Sequence, residues 1–223
     1  MHYSIIDAIA SGEQTWSGIT TRVGRTGGSL LRPLQWLEEM QVVERVVPIT
    51  ETTPQRSKRA LYRIVDPYVN FWHRVVSRLV NTGSIGLVEP ERLWSVVVVP
   101  GLDNYMGPVF EGICRDFVRR TDRLPFRPMR VGEWWDARSY HQVDVVALGS
   151  QGELLVGECK WGRITAHHLA SVRERAILIA RELDGVRQVH IALFSGRGEV
   201  DDAVRREAAD GTVLLFNAED VRG

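Results

Sequence analysis

Three polar residues in the second half of the chain are spaced so that they could share one chemical task. Asp144 lies in one apolar run, and Glu158 and Lys160 end the next. Residues two apart on a strand share a face, so Glu158 and Lys160 should project together and Cys159 should face the other way. A turn at residues 149–152 predicts a hairpin that brings Asp144 beside Glu158.

Carboxylates that face each other repel unless a proton or a cation lies between them. Asp144 and Glu158 are therefore a candidate site for Mg²⁺ or Mn²⁺. A lysine beside such an ion can orient or deprotonate a water molecule, or stabilise charge on a phosphorane-like transition state. Lysine is rare in this chain, where Lys58 and Lys160 stand alone. The alternative, an ordinary cross-strand ion pair, stays open.

From Asp103 onward, the hydrophobic pattern predicts the element order αβββαβαβ, which indicates an α/β sandwich with a mixed sheet. The predicted elements are a helix through 109–118, strands over 129–135, 142–148 and 154–161, a helix over 166–183, a strand over 189–194, a helix over 200–209 and a strand over 212–216.

The first part of the chain has a different pattern, with three short helices over residues 2–11, 16–23 and 30–40 and two strands over 42–49 and 60–65. This order is typical of a winged helix-turn-helix domain, whose third helix enters the major groove of DNA. The third helix carries an apolar stripe that should pack on the first two, formed by Leu30, Leu31, Leu34, Leu37 and Met40.

Candidate DNA contacts lie at the tip of the predicted wing. Arg56, Lys58 and Arg59 stand close together without an acid among them, as phosphate contacts require. The third helix contributes less, since Arg32 and Gln35 are its outward polar groups before Glu38 and Glu39. A winged helix that binds only protein is an equal alternative.

Composition and the lengths of the apolar runs narrow the class of protein. The 223 residues carry 28 basic and 28 acidic side chains, a balance that argues against a non-specific polyanion binder, and the 44% of apolar residues excludes a wholly disordered chain. The apolar run at 96–99, like the others in the sequence, is far shorter than the roughly 20 residues that span a membrane. Two cysteines and no secretory signal predict a cytoplasmic protein.

Several familiar catalytic motifs do not occur in the sequence. No GxxxxGK[ST] loop is present, so this chain alone should not hydrolyse ATP. The GxSxG, HExxH and paired CxxC patterns are also missing, which leaves the aspartate, glutamate and lysine described above as the candidate site.

These residues and this element order resemble the PD-(D/E)xK nuclease superfamily, whose αβββαβ core carries Asp on one strand and (Asp/Glu)-x-Lys on the next. Glu111, on the preceding helix, matches a further acid that many members supply. The resemblance implies a restriction-endonuclease-like fold and hydrolysis of phosphodiester bonds. It also implies Asp144, Glu158, Lys160 and Glu111 as catalytic residues, with Asp144 and Glu158 as the metal ligands.

More narrowly, the chain resembles the C-terminal region of archaeal-type P-loop ATPases, without their ATPase domain. Gln142 stands where that family often has an acid, which removes one charge beside the proposed metal. The resemblance implies DNA and an ATPase domain or subunit as partners. The matching segments are YRIVDPY at 62–68, FEGIC at 110–114, WWD at 134–136, VDVVA at 143–147 and GECKW at 157–161.

Together these observations predict an α/β protein, α+β overall. The expected parts are a winged helix-turn-helix domain over 1–65, a helical connector over 66–100 and a PD-(D/E)xK nuclease-like domain over 101–223.

Three functional hypotheses follow. In the first, a metal-dependent DNA endonuclease, the two strand carboxylates bind the metal, Glu111 assists through a second metal or a water, and Lys160 positions the attacking water. The second is a catalytically inactive DNA-binding or regulatory module. The third is a protein-interaction domain of an ATPase, with Trp134, Trp135 and Trp161 at an interface.

Overall fold

A computed structural model describes residues 1–138 and 140–222 and has a mixed α/β fold, α+β overall. The chain forms two compact units. The first comprises Met1–Val47 and Thr53–Leu102, and the second comprises Pro48–Thr52 and the chain from Asp103 onward.

The first unit begins with three helices and a two-stranded antiparallel sheet, in which Val43 pairs with Ile64 and Val46 with Leu61. The elements are α1 (His2–Ala10), α2 (Trp16–Val23), α3 (Gly27–Glu39), β1 (Val43–Val46), a 3₁₀ turn (Pro54–Arg56) and β2 (Leu61–Ile64). The helices and strands thus follow the predicted order, although both strands are shorter than expected.

Local signals explain the helix ends. The Thr15 side chain accepts a hydrogen bond from the backbone N–H of Gly18 and so caps α2, and Gly24 ends that helix in the left-handed region with φ 68°. Helix α3 begins at Gly27, earlier than predicted. Of its predicted apolar stripe, Leu30, Leu34 and Leu37 are buried, whereas Leu31 and Met40 are exposed.

The remainder of the first unit consists mainly of short helices. Asp66 starts it by accepting hydrogen bonds from the backbone N–H groups of Tyr68 and Val69. The elements are α4 (Pro67–Phe71), a π-helical turn (Trp72–Val76), α5 (Ser77–Asn81), α6 (Pro90–Leu93), a second π-helical turn (Trp94–Val98) and the beginning of α7 (Val99–Arg120).

The second unit is built on a five-stranded sheet whose strands lie in sequence order. The first three strands are antiparallel, and the last two run parallel to the third. The strands are β3 (Arg130–Trp135), β4 (Gln142–Leu148), β5 (Glu153–Lys160), β6 (Gln188–Ser195) and β7 (Leu214–Asn217), and the further helices are α8 (Ala166–Glu182), α9 (Asp202–Ala209) and α10 (Ala218–Arg222).

Alternating strand residues divide the core of this unit between the two faces of the sheet. One face packs Val146, Val156 and Leu193 against α8, and the other packs Val145, Leu155 and Phe194 against α7. The mixed sheet agrees with prediction, while α10 was not predicted and α7 is far longer than the expected helix. Among the described residues, no helix is long and apolar enough to cross a membrane.

Candidate active site

The β4–β5 hairpin brings the two predicted strand carboxylates together. Val145 pairs with Gly157 in the antiparallel register, so Asp144 and Glu158 are the next residues opposite each other. Both side chains are almost fully buried, with relative exposures of 7% for Asp144 and 5% for Glu158. The turn lies where the sequence predicted it, between Leu148 and Glu153.

Asp144 is fixed by the neighbouring strand, because the backbone N–H of Cys159 donates a hydrogen bond to its Oδ2 at 2.9 Å. Burial, together with the nearby charge of Glu158, raises the pKa of Asp144 to about 6. The hydrogen bond from Cys159 and the charges of Lys160 and Arg115 oppose this rise. The site therefore binds a proton more readily than an exposed aspartate would, which is the condition in which a cation can replace that proton.

Lys160 lies beside this pair, with its Nζ 2.7 Å from Oε1 of Glu158. Burial alone would lower the pKa of Lys160, but the hydrogen bond to Glu158 and the charges of Glu158, Asp144 and Glu111 raise it. Lys160 is therefore a cation at neutral pH. It can donate a hydrogen bond and stabilise negative charge, but it is not a base that could deprotonate water.

Glu111, on α7, is close enough for its charge to act on Lys160. Arg115, one helical turn later, has its Nη1 4.0 Å from Glu111 and 3.9 Å from the buried Glu133. The same guanidinium donates a hydrogen bond to the carbonyl oxygen of Asp144 at 2.9 Å. Arg115 thus interacts with the side chains of Glu111 and Glu133 and with the backbone of Asp144.

Arg175 is a further site residue that the sequence analysis missed. Its Nη1 lies 2.8 Å from Oε2 of Glu158, so the two oxygens of that carboxylate are bound by two different cations. The signal was present in α8, where Arg175 falls on the buried stripe, three residues after Val172 and four before Ile179. Arginine on an apolar helical face indicates a buried ionic partner.

Asp144 and Glu158 could supply only two protein carboxylates to a hard divalent ion. Within residues 1–138 and 140–222, no three Asp, Glu, His or Cys side chains are grouped so as to hold a metal. Mg²⁺ commonly uses one or two protein carboxylates and completes its octahedron with water and substrate phosphate oxygens. Asp144 and Glu158 meet that requirement, with Arg175 and Lys160 as competing counter-ions.

The predicted DNA contacts lie in the first unit. On α3, Arg32 and Gln35 are exposed and line a shallow groove together with His2, Trp36 and Glu39. Trp36 is 47% exposed and its ring lies 4.6 Å from that of His2. This groove thus mixes one cation and one amide with an acid and an exposed aromatic ring.

The predicted wing tip carries the remaining cations. Arg56 and Lys58 are exposed, whereas Arg59 is partly buried and already has an interaction partner. Arg45, on β1, donates hydrogen bonds at 2.8 Å to the carbonyl oxygens of Pro54 and Ser57. These bonds fix the shape of the tip, and sequence reasoning had not singled out Arg45.

The expected tryptophan interface is wrong for two of its three members. Trp134 is 1% exposed and Trp135 is 4% exposed, so both are part of the core of the second unit. The indole N–H of Trp134 donates a hydrogen bond to Glu182 at 2.8 Å. Trp161 is partly buried and packs edge-on against Phe110, with ring centroids 5.7 Å apart.

Comparison with known proteins gives a partial family match. Residues 72–172 match DUF234, described as archaeal and bacterial proteins of unknown function. That stretch contains Glu111, Asp144, Glu158 and Lys160 but ends before Arg175.

An uncharacterized protein from Methanocaldococcus jannaschii is 29% identical over 161 residues, which cover 70% of this chain and 35% of that protein. The chain thus spans about a third of the length of this relative. Among solved structures, an O-methyltransferase from neocarzinostatin biosynthesis aligns at 15% identity over 96% of this chain and 60% of that one. Its TM-score of 0.22 carries no argument about fold or function.

Proposed function

We propose that the chain binds DNA through its first unit and hydrolyses phosphodiester bonds through its second unit, with Mg²⁺ or Mn²⁺ as the cofactor. The observation that carries the proposal is the convergence of Asp144, Glu158 and Lys160, with Lys160 Nζ 2.7 Å from Glu158. The resemblance to PD-(D/E)xK nucleases supports the same chemistry.

In this mechanism, Asp144 and Glu158 bind the divalent ion, which when bound supplies Lewis-acid polarisation of a phosphoryl oxygen. Lys160, which the charges of its acidic neighbours keep protonated, stabilises the negative charge that develops on the phosphoryl group. Because Lys160 carries its proton, a carboxylate must accept the proton of the attacking water. Glu111 is the acid assigned to that task, since its charge reaches Lys160 from α7.

The proposal of DNA binding rests on the basic and polar side chains of the first unit. Arg32 and Gln35 on α3 and the tip residues Arg56, Lys58 and Arg59 would contact phosphates and bases. Each of these side chains is at least partly exposed. A cytoplasmic location goes with this proposal, because reducing conditions suit a chain with two free cysteines.

The second candidate function is a catalytically inactive DNA-binding, regulatory or interaction module of an ATPase system. It is favoured by the two cations that engage Glu158, since Lys160 and Arg175 together neutralise the carboxylate without a metal. Gln142, in place of an acid, also lowers the negative charge of the site. An ATPase domain or subunit is the proposed partner in this case, on the resemblance described above.

Cleavage of plasmid DNA and of single-stranded DNA, with Mg²⁺ and then with Mn²⁺, distinguishes the two candidates. The Lys160→Ala protein, purified identically, is the matched control. Cleavage by the wild type alone supports the nuclease. DNA binding without cleavage by either protein supports the inactive module, and equal cleavage by both indicates contamination or a site elsewhere.

A further inference from the structure

Glu158 is bound by one cation on each oxygen. Lys160 reaches Oε1 at 2.7 Å from the same strand, and Arg175 reaches Oε2 at 2.8 Å from α8. The Glu158 side chain is 6% exposed, so little solvent remains to complete its shell. A metal ion can bind this carboxylate only by displacing or sharing one of these cations.

Arg175 is the partner less well satisfied by its surroundings. Its Nε is buried and has no hydrogen-bond partner, and the side chain is 23% exposed. The neighbouring residues on the same helical face, Val172, Ala176 and Ile179, are apolar and buried. An unsatisfied donor on a mostly buried guanidinium is costly, which indicates that Arg175 contributes through its charge rather than through packing.

We propose that Arg175 competes with the divalent ion for Glu158 and, once the ion has bound, turns its guanidinium to a phosphodiester group of the substrate. This inference rests on the proposed function and adds to it an anion-binding group from α8. The planar fork of arginine matches the oxygens of a phosphodiester, and the released side chain regains partners for its donors. Binding of metal and binding of phosphodiester are then coupled through one side chain.

Coupling of this kind is reciprocal, because each ligand must raise the affinity for the other by the same factor. A phosphodiester that engages Arg175 removes the competitor of the metal on Glu158. Metal affinity should therefore rise when a phosphodiester is present, and this rise should depend on Arg175. An uncharged backbone of the same length should not produce it.

The test measures Mn²⁺ binding by the loss of the electron paramagnetic resonance signal of free Mn²⁺. Three conditions are compared: protein alone, protein with an eight-residue thymidine oligonucleotide, and protein with its uncharged methylphosphonate analogue. For the wild type, we expect tighter Mn²⁺ binding with the phosphodiester oligonucleotide only. Binding of Mn²⁺ to each oligonucleotide alone is subtracted.

In Arg175→Gln, Mn²⁺ should bind the protein alone roughly tenfold more tightly, since one nearby positive charge is lost. The gain from the phosphodiester should disappear. Arg173→Gln is the matched control, because Arg173 lies on the same helix and pairs with Glu207 at the surface. It should leave both quantities as in the wild type.

Arg175→Lys keeps the positive charge but lacks the planar guanidinium. It is the second variant, used if Arg175→Gln does not fold. It should retain wild-type affinity for Mn²⁺ alone and lose most of the coupling. Weaker or unchanged Mn²⁺ binding in Arg175→Gln overturns the inference but leaves the proposed metal site intact. Equal Mn²⁺ binding by the wild type and Asp144→Asn, or none by either, overturns the proposed metal site as well.

Discussion

The backbone N–H of Cys159 donates a hydrogen bond to Oδ2 of Asp144 at 2.9 Å, across the β4–β5 hairpin. The bond joins the Asp144 carboxylate to strand β5, which carries Glu158 at the position before the donor. Because the donor belongs to the backbone, every substitution at position 159 except proline keeps it. The position of the Asp144 side chain is thus a property of the sheet itself.

Asp144→Asn should stabilise the protein at pH 7.5 in EDTA, while abolishing metal binding. The pKa of Asp144 is about 6 in the folded state against an ordinary value of 3.8, so the folded state favours the protonated form. This favourable contribution is present at low pH and is lost as pH rises through 6. An asparagine carries no charge and can still accept the hydrogen bond from Cys159, so the gain in stability at pH 7.5 should be about 3 kcal/mol.

Urea unfolding at pH 7.5 and pH 4.5 measures this effect, and the gain should shrink at the lower pH. Asp136→Asn serves as the control. Burial opposes the shift there, but backbone hydrogen bonds from Tyr140 and Arg138 lower the pKa of Asp136, so its substitution should not stabilise. An Asp144→Asn gain that is the same at both pH values would contradict the buried-charge explanation.

The two lysines of the chain should separate DNA binding from catalysis. Lys160→Ala should reduce cleavage at least about 100-fold, since it removes a group that stabilises transition-state charge. Lys58→Ala should instead weaken DNA binding and leave the cleavage rate at saturating DNA unchanged. Fluorescence anisotropy and single-turnover cleavage measure the two quantities, and a loss of cleavage in both variants would refute this division.

The exposed Arg56 should account for one phosphate contact. Arg56→Ala should lower DNA affinity equally for unrelated sequences and reduce the slope of log affinity against log salt by about 1. Arg120→Ala, an exposed arginine at the end of α7, is the matched control and should leave the slope unchanged. Anisotropy titrations between low and moderate salt give the slope, and identical slopes for all three proteins would exclude Arg56 as a phosphate contact.

His73 should make the first unit sensitive to mild acid. Burial lowers its pKa from 6.5, although Asp7, 3.9 Å away, acts in the opposite direction. The folded state therefore favours the neutral ring, so this stabilising contribution is complete above pH 6.5 and is lost as pH falls toward the lower folded-state pKa. The wild type should lose stability between pH 7.5 and 5.5 more steeply than His73→Gln.

Urea titrations followed by circular dichroism across that pH interval provide the measurement. His167→Gln, on the exposed side of α8, is the control and should follow the wild type. Parallel curves for wild type and His73→Gln would show that the buried ring does not determine the acid response.

Local patterns predicted the elements that carry the site. Two apolar runs joined by a four-residue turn predict a hairpin, so Asp144, Glu158 and Lys160 could be placed together from spacing alone. The stripe on α3 was predicted less well, since Leu31 and Met40 are apolar yet exposed. Hydrophobicity predicts burial only when a neighbouring element covers the residue, and that depends on tertiary packing.

The helical contributors to the site were harder to predict. Arg115 and Arg175 are far in sequence from the residues they contact, Asp144 and Glu158. These contacts form only when α7 and α8 pack on opposite faces of the sheet. Helical spacing identifies the buried face of α8 but not which turn of the helix meets the end of β5. Glu111 was found only through the resemblance to nucleases.

The sheet of the second unit lies in sequence order, β3 to β7, and this has a kinetic consequence. Each strand pairs with its neighbour in the chain, so no long-range loop must close before Asp144 meets Glu158. The tight turn of the β4–β5 hairpin lets the two acids meet at small entropic cost, whether or not the flanking helices have docked. Their repulsion is then offset by cations from outside the hairpin, Arg115 on α7 and Arg175 on α8.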